Sequence, residues 1–181
     1  CVVVIFSQTN IFKQDKNQTS TEQMPNDEVH KGLKDKNAPH SMMNISPEFK
    51  HQMEQLKKNI DNNPNDTLKI REYANLLAAS HQPDEALKYY DMILNKAPKR
   101  TDILFEKSKI YYAENKLDEA ENVTNSILKL EPENPLAQYN LGAIAATKGD
   151  KEKARKIWND VIKKYPKEEV AELAKKSLEK L

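Results

Sequence analysis

The sequence predicts an all-α fold, a solenoid of antiparallel helix pairs, and three observations predict it. The stretch from residue 67 to residue 168 repeats every 34 residues without an insertion, a period that marks helical repeat arrays. Within each repeat two apolar runs recur at helical spacing on either side of a short break, at residues 80–83, 114–117 and 148–151, as two helices returning on one another require. The 181 residues include only three glycines, too few for the turns of an all-β fold or for an intact phosphate-cradling loop.

The elements follow in chain order. Residues 1–7 open on Cys1-Val-Val-Val-Ile-Phe6, an apolar stub with no initiator Met. It is too short to cross a bilayer, which takes about twenty residues. Its readings are a truncated membrane or signal segment, a lipoprotein start with an acylated Cys1, a signal core cleaved after Ser7, or a short strand or cloning boundary. Residues 8–45 are mostly Asn, Gln, Lys, Ser, Thr and Asp without helical or strand period. That composition buries too little apolar surface to offset chain ordering, so a flexible polar tether is expected.

A leading helix is expected within 46–66. Ser46-Pro47 supplies a cap and a first-position proline, and Phe49, Met53, Leu56 and Ile60 share one face before Asn62-Asn63-Pro64. Three repeats then run in register over 67–168, as 67–100, 101–134 and 135–168. Small residues Ala74, Ser108 and Gly142 should face Ala86, Ala120 and Ala154, letting paired helices approach closely. Tyr90 and Trp158 should fill the gap to the next repeat, while Pro98, Pro132 and Pro166 end each second helix. Pro83 suits a first helical turn and Asp150 an N-cap. Residues 169–181 carry apolar side chains at 170, 173, 174, 178 and 181 and form a capping helix, which an array needs to close its last apolar face.

The matching positions Leu77/Tyr111/Ala145, Ala86/Ala120/Ala154, Tyr90/Thr124/Trp158, Leu94/Leu128/Ile162 and Pro98/Pro132/Pro166 resemble the tetratricopeptide repeat (TPR). The third repeat is the most similar, through Leu141-Gly142, Gly149-Asp150, Ala154, Trp158 and Pro166. The resemblance implies a right-handed superhelix. Three positions depart from the family pattern: Lys107 replaces a usual Leu, Thr124 a usual aromatic and Gln138 a usual Trp. The second repeat is therefore expected to be the least tightly packed, with Thr124 filling little volume.

Charge and chemistry narrow the function. Lys and Arg number 29 against 28 Asp and Glu, a net charge of +1, which argues against nucleic acid as a partner because phosphate binding needs a cation surplus. Cys1 is the one cysteine, so no internal disulfide or multi-Cys metal site is expected. His30, His40, His51 and His81 lack the convergent partners of a metal or catalytic site. Asp84-Glu85 and Asp118-Glu119 sit where helices open and acids favour the dipole. Asn17-Gln-Thr19 and Asn122-Val-Thr124 are chance sequons. No catalytic residue, metal or cofactor is assigned.

The resemblance also implies a groove formed by the first helices. Its inward positions fall on Arg71, Asn75, Ala78 and Ala79, on Phe105, Lys109 and Tyr112, and on Tyr139, Ala143 and Ala146. The peptide-binding set is Arg71, Asn75, Phe105, Lys109, Tyr112 and Tyr139. Arg71 and Asn75, four apart on one face, resemble the start of a clamp for a chaperone's C-terminal carboxylate. Glu106, Leu136 and Asn140 stand where its Asn, Lys and Arg would be, which counts against that partner. The expected function is a non-enzymatic scaffold holding a peptide segment of a partner protein, anchored to a membrane through its N-terminus or exported in a bacterial envelope, with the cytoplasm as alternative. The rivals are a periplasmic assembly factor for a client such as an apocytochrome or an envelope-complex subunit, and a self-assembling homo-oligomeric array.

Overall fold

A computed structural model describes residues 46–181; the stub at 1–7 and the tether at 8–45 lie outside the described residues. The described residues form eight helices: α1 (Pro47–Asn62), α2 (Thr67–Ala79), α3 (Pro83–Lys96), α4 (Thr101–Ala113), α5 (Leu117–Leu130), α6 (Pro135–Thr147), α7 (Lys151–Lys164) and α8 (Glu169–Leu178). They fall into two compact bodies, one ending at Pro98 with α1–α3 and one from Lys99 to Leu181 with α4–α8.

Local chemistry sets the helix starts. Ser46 Oγ accepts from the Phe49 amide at 3.2 Å, Asp66 accepts from the Leu68 and Lys69 amides at 3.1 Å, and Asn134 and Asp150 accept from Ala137 and Lys153 at 2.9 and 3.0 Å. Each of these caps satisfies amides that the first turn leaves open. Pro47, Pro83 and Pro135 occupy first-turn positions, where a missing N–H costs nothing. At the other end Pro98, Pro132 and Pro166 each follow the residue that caps a second helix.

The turn inside each repeat has a property that the spacing did not reveal. His81, Asn115 and Gly149 lie one repeat apart and adopt φ of +58°, +56° and +88°. The amide that follows each one closes back on the preceding helix, as Gln82 to Leu77, Lys116 to Tyr111 and Asp150 to Ala145, at 2.8–2.9 Å. This is a left-handed helix stop that favours glycine, and two of the three sites lack it. His81→Gly is expected to raise stability by up to about 1 kcal/mol, because the left-handed conformation costs a side-chain-bearing residue roughly that much. A lower denaturation midpoint for His81→Gly would contradict this.

In the α1–α3 body, Ile70, Ala74 and Leu77 of α2 are buried with Ala86, Tyr90 and Ile93 of α3, and α1 adds Met53, Leu56 and Ile60. In the α4–α8 body, α4 pairs with α5 and α6 with α7, α5 meets α6, and α8 packs on both α7 and α6. A core there gathers Tyr139, Ala143, Ala145, Ala154, Trp158, Val161, Val170 and Ala174.

The small residue of the first helix meets its partner sixteen positions later. A Cβ on Gly142 would lie 2.4 Å from Trp158 Nε1, with two further ring atoms next nearest, so the glycine makes room for the indole and not only for Ala154. In the second repeat the same two positions form a polar contact. Thr124 Oγ1 donates to Ala120 O at 2.7 Å, which leaves it to accept from Ser108 Oγ at 2.7 Å. Ser108 and Thr124 are both fully buried. At these two positions the space left by the small side chains is spanned by a hydrogen-bonded pair. Lys107 stays half-buried with its ammonium 5.9 Å from the Tyr111 ring centre, and Gln138 donates to Pro132 O at 3.0 Å.

Outside the core, Glu121 of α5 accepts from Lys148 at 2.5 Å and from Lys153 at 2.8 Å. These bonds hold its carboxyl below the usual carboxylate range. Among the described residues no helix is long and apolar enough to cross a membrane, and no group of three or more His, Cys, Asp or Glu could hold a metal ion.

Candidate functional site

Phe105, Lys109 and Tyr112 follow the i, i+4, i+7 spacing of one helical face, and all three are half-buried on α4. On α6, Leu136, Asn140, Ala143 and Thr147 form a similar stripe. Thr147 Oγ1 donates to Ala143 O at 2.9 Å, so it accepts from the Tyr112 hydroxyl at 2.6 Å. That bond ties the two faces together.

Lys109 forms an ion pair with Glu106, one turn earlier on α4. The two side chains are 26% and 14% exposed, so the cation expected to be open on this face already has a carboxylate. Asn140 is 1% exposed, and its Oδ1 has no hydrogen-bond partner among the described residues. A buried carbonyl oxygen left unpaired is costly, and natural folds retain few of them.

Tyr139 requires a correction. It is 2% exposed, its hydroxyl meets Ser177 of α8 at 3.0 Å, and its ring stacks on Trp158 with centroids 6.0 Å apart. Burial pushes its phenol pKa up. The ring is thus a core element beneath α8 and does not line a surface. The reason is that α6 is buried on most sides, from Ala137 through Ala145, so its periodicity cannot separate an inward position from an interior one.

Arg71 and Asn75 belong to the α1–α3 body, and the other four expected residues to the α4–α8 body. Arg71 is half-buried and Asn75 exposed. The Tyr90 hydroxyl donates to Asn75 Oδ1 at 2.6 Å, so this amide braces a core tyrosine. On the same helix Leu68 is 72% exposed, at the repeat position equivalent to Leu136. Sequence reasoning missed Leu68, Glu106, Asn140 and Thr147 as members of these faces. Only Glu106 carried a signal, its spacing of three from Lys109.

The sequence model of the tetratricopeptide repeat matches residues 77–130 and 111–176, more than half of the chain. The chain belongs to the tetratricopeptide repeat family. Solved structures share its fold. A tetratricopeptide repeat protein from Parabacteroides merdae ATCC 43184 is 21% identical with a TM-score of 0.63, over 73% of this chain and 53% of that one. YrrB, described as a TPR protein with an unusual peptide-binding site, is 24% identical with a TM-score of 0.60, over 71% and 66%. MamA from Desulfovibrio magneticus RS-1, from residue 41 to its end, is 17% identical with a TM-score of 0.57, over 64% and 66%. In each case the match spans less than two thirds of the solved chain, and at these identities the likeness shows the fold alone. No curated protein matches the sequence significantly. The TPR fold, an α-solenoid of antiparallel helix pairs, is that of a protein-interaction scaffold.

Proposed function

We propose that this TPR protein is a non-enzymatic scaffold that holds a segment of a partner protein against the joined faces of α4 and α6. The observation that carries the reading is the Tyr112–Thr147 bond, which joins two helical faces on which Phe105, Tyr112 and Leu136 stay only half-buried. An extended segment lying along the joined faces meets Phe105, Tyr112 and Leu136 as apolar contacts. The likeness to YrrB, described by its peptide-binding site, supports the same use of the fold.

Self-assembly by end-to-end stacking is the weaker reading, because α8 turns Glu169, Glu172, Lys175, Lys176 and Glu179 outward as exposed residues and so closes that end with charge. Arg71 and Asn75 are proposed as a separate contact of the α1–α3 body. Membrane attachment or export rests on the composition of residues 1–7 alone, and fractionation of the native protein would test it.

Phe105→Ala and Tyr112→Ala are each expected to weaken capture of the partner by about 1–3 kcal/mol, the scale of an aromatic anchor. Lys88→Ala, at an exposed site on α3, should change it little. Circular dichroism checks the fold of each variant, and titration of the purified partner segment measures the loss. Undiminished capture by a folded Phe105→Ala/Tyr112→Ala double variant would move the function elsewhere on the molecule.

A further inference from the structure

We infer that Glu106 sets the charge specificity of the α4/α6 face, so that the face takes an uncharged extended segment and rejects an acidic one; this rests on the peptide-holding reading above. Lys109 is the cation of the α4 stripe, and Glu106 already pairs with it. At 14% exposure the Glu106 side chain is too enclosed to swing into solvent and release its partner. A ligand carboxylate approaching Lys109 would therefore meet a second carboxylate beside the same ammonium, and like-charge juxtaposition in a partly desolvated site is strongly unfavourable.

The remaining polar groups point the same way. The Tyr112 hydroxyl gives its proton to Thr147, so it is not a donor for an incoming anion. Phe105, Tyr112 and Leu136, half-buried on the two helices, present apolar surface beside the neutralised Glu106–Lys109 pair. A cationic side chain gains nothing, because the Glu106 charge is already balanced by Lys109. The chemistry that fits is a neutral backbone amide flanked by apolar side chains.

The test uses the full 181-residue chain and three synthetic peptides of equal length. The first is built of Val, Ser and Asn and blocked at both ends. The second replaces its serines with Glu and carries a free C-terminal carboxylate; the third replaces them with Lys. The neutral peptide is expected to bind the native chain at least about tenfold more tightly than the acidic one. In Glu106→Gln, which frees Lys109, the acidic peptide should gain roughly tenfold and close that gap, and its binding should become salt-sensitive. Equal binding of neutral and acidic peptides to the native chain, or a preference unmoved by Glu106→Gln in a folded variant, would overturn the inference while leaving peptide holding intact. If no peptide binds, the peptide-holding reading falls with it.

Discussion

Trp158→Ala is expected to destabilise the protein by about 3–5 kcal/mol, the range for deleting a buried indole that its surroundings cannot refill. The ring is 4% exposed and lies among Tyr139, Ala143, Ala154, Val161, Val170 and Ala174. Its Nε1 donates to Tyr139 O at 3.1 Å. It also bridges the α6–α7 pair to the capping helix, so its loss loosens the floor beneath α8. Thr124→Ala, at the equivalent position, should cost about 1–2 kcal/mol for the hydrogen bond lost between two buried hydroxyls. Small volume alone suggests a milder effect there, but the sequence does not show that the hydroxyl is paired. Denaturant melts of the two variants measure the difference, and equal losses would contradict the assigned register.

Gly142→Ala is the second large effect expected, about 1–3 kcal/mol from overpacking. The added Cβ would stand 2.4, 2.6 and 2.9 Å from three ring atoms of Trp158. The ring has little freedom to retreat, because its Nε1 is bonded to Tyr139 O and its face is stacked on the Tyr139 ring. The second repeat suggests a compensated version of the same contact. Gly142→Ser with Trp158→Thr would copy the Ser108–Thr124 pair, and the double variant should cost at least about 1 kcal/mol less than the sum of its single changes, as expected of residues in contact. Strict additivity in the melts would show that the two positions do not touch.

What was legible in the sequence is what neighbouring residues decide. Ser46-Pro47, Pro83 and Asp150 announce helix starts because caps and first-turn prolines act over three or four residues. Pro98, Pro132 and Pro166 announce ends for the same local reason. The left-handed turn was not read from the sequence, since only Gly149 carries the residue that advertises it and His81 and Asn115 adopt the same backbone without it. Contacts between helices were less legible. The period placed Gly142 opposite Ala154, whereas the nearest neighbour of its open side is the Trp158 ring, a relation set by how two helices cross. The candidate face was read least well. Tyr139 shares the spacing of surface positions yet lies under α8, and Asn140 attracted notice only as an absent arginine, because the lack of a hydrogen-bond donor is a property of the folded surroundings.

Whether a partner segment lies on the α4/α6 face is decided by site-directed photo-crosslinking. A photoreactive amino acid replaces Phe105, half-buried on α4, in one full-length variant and Asn159, exposed on α7, in another. Both are irradiated in the native cell and the adducts sequenced. A discrete adduct with one partner segment is expected from position 105 and none from position 159. Adducts from position 159 together with none from position 105 would contradict that placement.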